Sequence, residues 1–339
     1  MMATAPFDHL LRLSTPLGVY EHARGPVPRT EHGMCVDDVA RALVVTAREP
    51  CPGPEVRSLA WTALRFLRAA QRDDGGMHNR RDDAGTWLDA PSTGDHWGRA
   101  LWAFGVAASQ PTDEALAGEA RRGAEMALRA RSVHPRAVAY AALGAAHLLT
   151  VAPEDLAAYA LLLDARRALL PIRTDPSWPW PYGRLTYASA VVPEAMLAIG
   201  AALSDRELQR DGLTLLRWLV EQQTVGTHLS PVAVRGRSVG DVRRPEFDQQ
   251  PIEVSALAEA SAAAWDLTGD AGWTRVLARC VAWFEGDNDS CVPVRDSATG
   301  AGYDGLERGS VNLNQGAEST LAWLATAQVA EASRPAAVR

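Results

Sequence analysis

The sequence predicts an all-α protein in which about a dozen helices form six hairpins closed into a ring, an (α/α)6 toroid. Apolar residues recur at the i, i+3, i+4, i+7 spacing of amphipathic helices through most of the 339 residues. The period-2 alternation of strands is nowhere sustained. Short connections alternate with long polar ones, and loops longer than roughly 12 residues usually serve a function. Alternate connections of a hairpin ring lie at the same end, so we expect the long loops to share one face.

Six inner helices are predicted to begin at that face, near residues 36, 94, 135, 190, 251 and 316. Their spacing of about 40 to 65 residues is typical of helical hairpin units. Pro135 and Pro251 suit a first helical position, where the missing N–H costs nothing. Inner helices crowd together, and residues 137–146, 195–202 and 256–264 are accordingly rich in small side chains.

Five outer helices are predicted between them. Their expected ranges are residues 55–71, 113–130, 153–170, 205–223 and 271–284. Short connections such as residues 49–54, 111–112 and 268–270 join helices into hairpins. A linker rich in glycine, proline or serine is not evident, so we expect a single domain over residues 1–339.

Composition excludes several classes of chemistry. All 34 basic residues are arginine, which excludes Schiff-base catalysis, lysine-bound pyridoxal phosphate and the phosphate-loop lysine. A net charge of −7 without a basic tract argues against nucleic acid as a partner. The four cysteines form no Cys-x-x-Cys pair, and we expect neither a metal nor a cofactor. No membrane span is expected, and residues 1–13 do not resemble a signal peptide, which favours the cytoplasm.

Polar and aromatic side chains cluster where the inner helices begin. Carboxylates and amides bind sugar hydroxyls, and aromatic rings pack on the C–H face of a pyranose. We therefore expect a saccharide-binding cleft there, and an oligosaccharide or glycoside as substrate. The candidate binding residues are His32, His78, Asp95, Arg99, Trp180, Tyr187, Asp248, Gln249, Gln250, Asn314, Gln315 and Glu318.

Asp37, Asp38 and Glu253 are the candidate catalytic residues. Glycosidic cleavage needs one carboxyl group that is protonated and another that is ionised. Neighbours on a helix point about 100° apart, so one of Asp37 and Asp38 should face the cleft while the other orients Arg41 or His32. Glu253 would supply the second carboxylate from across the ring.

The chain also resembles a known family. The stretches that carry the resemblance are residues 31–43, 98–102, 247–253, 283–289, 304–306 and 314–321, with Asn314-Gln315-Gly316-Ala317-Glu318 among the most specific. They are similar to a bacterial family of all-α proteins commonly labelled "glycosyltransferase", whose members resemble the six-hairpin (α/α)6 glycosidases. The resemblance implies the ring fold and action on a glycosidic bond with inversion.

The chain departs from that family's pattern at two places. Thr186-Tyr187-Ala188-Ser189 stands where Thr-Tyr-Asp-Asn is expected, and Pro181 or Tyr182 stands where a glutamate often follows the Trp-rich turn. The lost polar groups imply either a different substrate or a weakened or absent activity.

The residues leave several functions open. An enzyme that cleaves or transfers a glycosidic bond is the first. A sugar epimerase or isomerase is the second, and its paired proton transfers would give His32 and His78 more weight than the carboxylates. A saccharide-binding protein without activity is the third. Asp37-Asp38 also resembles the acidic motif of terpene cyclases, but a second metal-binding acidic run is missing.

Overall fold

The computed structural model describes residues 6–110, 113–169 and 175–334. Within them are twelve α-helices, and none is long and apolar enough to cross a membrane. They are α1 (Asp8–Leu13), α2 (Val36–Arg48), α3 (Pro54–Ala70), α4 (Asp95–Ser109), α5 (Glu114–Ala127), α6 (Pro135–Val151), α7 (Leu156–Ala168), α8 (Val191–Ala202), α9 (Arg206–Gln222), α10 (Pro251–Thr268), α11 (Ala271–Phe284) and α12 (Ala317–Ala332).

The helices form two concentric rings. Each of α2, α4, α6, α8, α10 and α12 packs on the next, and α12 packs on α2, which closes the inner ring. Helices α3, α5, α7, α9 and α11 pack outside their preceding inner helices. The predicted all-α toroid is confirmed, and all six inner helices begin within one residue of the predicted positions.

The sixth outer position holds a helix that the sequence did not reveal. Helix α1 packs on α12 and α3. It has six residues, which is less than two turns and too short to display a helical period.

Another boundary also differs from its prediction. Helix α7 begins at Leu156 rather than Pro153, because the Asp155 side chain accepts hydrogen bonds from the N–H groups of Ala157 and Ala158 and so caps the helix there. The predicted end of this helix at Leu170 and the predicted connection at residues 111–112 lie outside the described residues.

Short antiparallel strand pairs form within and between the long connections. The pairs are β1 (Ser14–Thr15) with β2 (Gly18–Val19), β3 (Ala23–Arg24) with β4 (Val27–Pro28), β5 (Met34–Cys35) with β6 (Arg80–Arg81), β7 (Arg184–Leu185) with β10 (Arg237–Ser238), β8 (Thr224–Val225) with β9 (His228–Leu229), and β11 (Gly305–Glu307) with β12 (Ser310–Asn312). A 3-10 turn spans Thr30–His32. Every strand lies in a connection that leads into an inner helix. With two or three residues each, they are too short to show alternation in the sequence.

Helices α4 and α6 approach each other most closely, through glycine. A Cβ on Gly105 would lie 2.2 Å from the Gly144 carbonyl oxygen, and one on Gly144 would lie 2.2 Å from the Leu101 carbonyl oxygen. The two backbones are therefore in direct contact. This packing fixes the start of α4 beside the start of α6 at the mouth of the ring.

Two glycine-to-alanine variants test this packing. We expect Gly105→Ala to lower the free energy of unfolding by about 1–3 kcal/mol, because the new methyl group overlaps the α6 backbone. A Cβ on Gly118 of α5 would meet no other atom within 4 Å. Gly118→Ala should therefore raise the free energy of unfolding by about 0.5–1 kcal/mol, through the lost freedom of the unfolded chain. Urea unfolding of both variants gives the comparison, and equal effects would contradict the close approach.

Candidate functional site

A cavity of about 460 Å³ opens at the mouth where the inner helices begin. Helices α2, α4, α6 and α12 and the loops before α2, α8, α10 and α12 supply its walls. Its lining comprises Glu21, His22, Cys35, Asp37, Asp38, Arg41, Asp95, Arg99, Arg136, Tyr187, Asp248, Gln250, Asp304, Asn312, Gly316, Glu318 and Ser319. Residues distant in sequence thus converge on one polar space, which we call the acidic cavity.

Seven carboxyl groups line the acidic cavity, and arginine divides them into two sets. Five form ion pairs: Glu21 with Arg80 (2.5 Å), Asp37 with Arg99 (2.5 Å), Asp38 with Arg41 (2.5 Å), Glu318 with Arg41 (2.9 Å) and Asp95 with Arg136 (2.8 Å). Asp248 and Asp304 have no arginine partner in the part of the chain that the structure describes. The two sets occupy different electrostatic environments.

Asp37 and Asp38 differ although they are neighbours. Asp38 is 2% exposed, and its two oxygens accept hydrogen bonds from Arg41 and from the thiol of Cys35 (3.3 Å). Burial raises the pKa of Asp38 to about 7, against the opposing effect of Arg41. Asp37 bonds Arg99 through one oxygen, and its side chain is 21% exposed. Burial would raise the pKa of Asp37, but Arg99 and Arg41 outweigh it and lower the pKa. Asp37 is therefore an ionised carboxylate facing the cavity, while Asp38 orients Arg41.

Tyr187 lies among the arginines. Its hydroxyl accepts a hydrogen bond from Arg41 and donates one to Glu318. The guanidinium carbons of Arg99 and Arg136 lie 5.3 and 5.0 Å from the centre of its ring. These are cation–π distances, so the tyrosine holds two positive side chains beside the cavity.

Asp248 and Asp304 are the carboxyl groups of the cavity without an arginine partner among the described residues. Burial raises the pKa of Asp248 to about 6, and Glu307 and Asp304 add to the shift. Its Oδ1 is buried without a hydrogen-bond partner among the described residues and packs against Gly305. Burial likewise raises the pKa of Asp304, whose Oδ1 accepts hydrogen bonds from the Gly316 N–H (2.7 Å) and the Ser319 hydroxyl (3.0 Å). The cavity thus combines a carboxyl group that retains its proton with carboxylates that do not.

Neither a protein-family model nor a curated protein sequence matches this chain. Solved structures do. A sugar epimerase from a ruminal bacterium has a TM-score of 0.67 at 13% identity, covering 96% of this chain and 95% of that one. The cellobiose 2-epimerase from Spirochaeta thermophila has a TM-score of 0.64 at 14% identity, covering 95% and 93%. A cellulase of C. cellulolyticium in complex with cellobiose has a TM-score of 0.64 at 8% identity, covering 92% and 87%.

The chain has the (α/α)6-barrel fold. At these identities the likeness shows the fold alone.

Glu253, predicted to be catalytic, does not line the acidic cavity of this (α/α)6 barrel. It is 4% exposed, and its Oε1 accepts a hydrogen bond from the N–H of Ala188. Burial raises the pKa of Glu253 to about 8, although the N–H groups of Ala188 and Ser189 oppose the shift. Ala188 has φ 48°, in the left-handed region. Glu253 therefore holds the turn that carries Tyr187.

Gln249 is turned away from the cavity, contrary to its predicted role in binding sugar hydroxyls. It is fully buried, and its Nε2 donates to Asp289 (2.7 Å) and to the Glu246 carbonyl oxygen (2.9 Å). A β-bridge to Leu306 holds this segment extended. Side chains alternate in an extended segment, so Asp248 and Gln250 face the cavity and Gln249 does not.

The two predicted histidines also lie outside the cavity lining. His32 is exposed and packs edge-on against His22, with the ring centres 5.1 Å apart. His78 lies 2.7 Å from the Asp89 carbonyl oxygen through Nδ1 and stacks on Trp87. Both histidines contact other loop residues and do not line the acidic cavity.

Three further predicted binding residues do not line the acidic cavity. Trp180 is 3% exposed, lines a neighbouring cavity, and donates from Nε1 to the Arg184 carbonyl oxygen. Asn314 accepts a hydrogen bond from the Gly25 N–H through Oδ1, and Gln315 is buried. Asp95, Arg99, Tyr187, Asp248, Gln250 and Glu318 do line the acidic cavity, as do Asp37 and Asp38.

Several lining residues were not predicted as site residues. Arg136 follows Pro135 in the first turn of α6, where a basic residue opposes the helix dipole, and this was a signal for a role outside the helix. Asp304 lies in a stretch that carries the family resemblance. Glu21 and His22 lie in an irregular loop whose sequence shows no pattern.

Glu21, Cys35 and Asp38 have potential metal-ligating atoms within 4.8 Å of one another. Their chemistry favours a hydrogen-bonded cluster. Burial raises the pKa of the Cys35 thiol well above its usual value, and the thiol donates to Asp38. The two carboxylates already pair with Arg80 and Arg41.

Glu253→Gln tests the structural role of Glu253. Folding raises the pKa of Glu253 from 4.5 to about 8. The folded state therefore binds the proton more tightly, and its contribution to stability is lost as the pH rises through this interval. We expect the free energy of unfolding of Glu253→Gln to fall less between pH 5 and pH 8 than that of the wild type.

Urea unfolding at the two pH values measures the difference. Glu125→Gln, at an exposed position of α5, is the matched control and should follow the wild type. If Glu253→Gln follows it as well, Glu253 does not carry a proton in the folded chain.

Proposed function

We propose that this protein is a carbohydrate-active enzyme that cleaves or transfers a glycosidic bond by acid/base chemistry between two carboxyl groups. The presence in one cavity of Asp37, whose pKa Arg99 and Arg41 lower, and of Asp248, whose pKa burial raises, carries this proposal. Glycosidic cleavage requires a group that gives a proton to the leaving oxygen and a second that is already ionised.

Asp248 is the proposed general acid. Its pKa of about 6 lets it retain a proton in mildly acidic solution and lose it to the glycosidic oxygen as the bond breaks. Asp37 is the proposed base. Its pKa is lowered beside Arg99, and its second oxygen is available to take a proton from the attacking water or sugar hydroxyl. The attack then inverts the anomeric carbon, as the family resemblance implies.

The other polar groups of the cavity hold the substrate in this proposal. Glu318, Asp95 and Gln250 accept hydrogen bonds from sugar hydroxyls, and Arg136 donates to them. Asp38 and Glu253 act indirectly, the first by orienting Arg41 and the second by holding the Tyr187 turn. This assignment removes Glu253 from the catalytic set and adds Asp248.

A sugar epimerase or isomerase is the second candidate, favoured by the likeness of the fold to a sugar epimerase and a cellobiose 2-epimerase. Against it, His32 and His78 do not line the acidic cavity. Among the described histidines, His22 alone does, so the second proton-transfer group of an epimerase would have to be a carboxyl group of the cavity.

Substitution of the two carboxyl groups tests the first proposal. In a screen of oligosaccharides for released reducing sugar, we expect Asp248→Asn and Asp37→Asn each to lower kcat by about 10²–10⁴-fold. A 2,4-dinitrophenyl glycoside has a leaving group that needs no protonation. Asp248→Asn should therefore regain activity on it, and Asp37→Asn should not.

The pH profile provides an independent measurement. Because Asp248 must be protonated, kcat/KM should fall tenfold per pH unit above about pH 6. Because Asp37 must be ionised, kcat/KM should also fall on the acidic side, and that fall should lie below pH 3.8, the usual pKa of an aspartate.

Asp164→Asn, on the outer surface, is the control and should keep both the acidic and the basic fall in kcat/KM. Solvent deuterium in a recovered monosaccharide would instead identify an isomerase, and saccharide binding without turnover would identify a binding protein.

A further inference from the structure

We propose that a second cavity, next to the acidic cavity, is a subsite for an additional sugar ring, so that the substrate is at least a disaccharide. This inference rests on the proposed function and extends it to the size of the substrate. The second cavity has a volume of about 510 Å³ and is walled by Trp180, Tyr182 and Tyr187. We call it the aromatic cavity. Both cavities fall in the range of about 300–1,000 Å³ typical of ligand sites.

The two cavities are contiguous. Asp95, Arg136 and Tyr187 line both of them. Arg136 donates to Asp95 (2.8 Å) and to the hydroxyl of Thr186 (3.1 Å), which lines the aromatic cavity. The side chains of Arg136 and Asp95 are each 28% exposed. Their polar atoms are therefore within reach of hydroxyl groups on either side of the boundary.

The linings of the two cavities differ in a way that suits different parts of one saccharide. The acidic cavity has seven carboxyl groups, whereas Asp95 is the one carboxyl residue among those lining the aromatic cavity. Val191 and Val192 add apolar surface to the aromatic cavity. Chemistry at the glycosidic bond needs the carboxyl groups of the acidic cavity. A neighbouring sugar ring that takes no part in the reaction needs a flat apolar surface and a few hydrogen bonds, which the aromatic cavity supplies.

Tyr182 is the side chain placed to hold that ring. It is half-buried in the aromatic cavity, and its hydroxyl has no hydrogen-bond partner among the described residues. Trp180 packs against it with the two ring planes at 75° and the ring centres 5.8 Å apart, and Trp180 is itself anchored to the Arg184 carbonyl oxygen. Trp180 therefore acts as a fixed support, while Tyr182 presents both an aromatic surface and a free hydroxyl.

Binding measured against saccharide length tests the subsite. Calorimetry on the whole chain would use glucose and mannose, and then two- to six-unit series of β-1,4-glucose, α-1,4-glucose and β-1,4-mannose. We expect the affinity of the wild type to rise at least tenfold from one unit to two or three units in one of the series. Tyr182→Ala should lose this gain and bind the monosaccharide as the wild type does.

Further variants separate the stacking from packing and folding effects. Tyr182→Leu keeps apolar volume without a flat ring and should behave as Tyr182→Ala, while Tyr182→Phe should keep most of the gain. Tyr159→Ala, an exposed tyrosine of α7 outside both linings, should keep all of it. If Tyr182→Leu is folded and retains the full gain with length, the subsite is not at Tyr182 and the proposal is overturned.

The test distinguishes failure of the subsite from failure of the proposed function. Length-dependent binding that Tyr182→Ala loses, with no glycan cleaved, would support the subsite and reject the enzyme. Cleavage whose kcat/KM has the same length dependence in the wild type and Tyr182→Leu would support the enzyme and reject the subsite. Absence of saccharide binding in every series would reject both.

Discussion

The buried guanidinium group of Arg41 is the interaction on which the mouth of the ring depends. Arg41 is 5% exposed, and a buried charge is costly unless it is paired and hydrogen-bonded. Its partners come from three separate elements: Asp38 on α2, Glu318 on α12, and Tyr187 in the loop before α8. The same contacts that satisfy Arg41 therefore hold the closing helix pair and the Tyr187 turn in place. Ring closure and site geometry have a common cause.

This arrangement also explains how one small space contains carboxyl groups of different protonation. Arginine residues favour the ionised form of the carboxylates beside them, and Asp37 shows the result in a lowered pKa despite burial. Beside Arg41, in contrast, burial still raises the pKa of Asp38 to about 7. Asp248 and Asp304 form no ion pair with these arginines, so burial dominates and their pKa values rise. The difference in pKa between Asp37 and Asp248 depends on the arginines that α2, α4 and α6 carry near their starts. It would be lost if these helices carried carboxylates alone.

The sequence predicts the parts of this structure that local rules determine. Helix starts follow from proline at a first position and acids in a first turn, and these rules found Asp37, Asp95 and Glu318 at the mouth. The orientation of Gln249 depends instead on its bridge to Leu306. The role of Glu253 depends on the backbone of Ala188. Both contacts join residues far apart in the chain, and no sequence pattern near Gln249 or Glu253 indicates them.

The position of the residues that depart from the family pattern indicates which part of the site they affect. Ala188 and Ser189 line the aromatic cavity and not the acidic cavity. Ala188 keeps its left-handed turn without a polar side chain, because its N–H bonds the carboxyl group of Glu253. Tyr187 consequently still reaches Glu318 and Arg41. In the proposed enzyme, the substitution of small residues here changes the surface offered to a neighbouring sugar ring, while the groups assigned to proton transfer, Asp248 and Asp37, stay in place. The departures therefore favour a changed substrate over a lost activity.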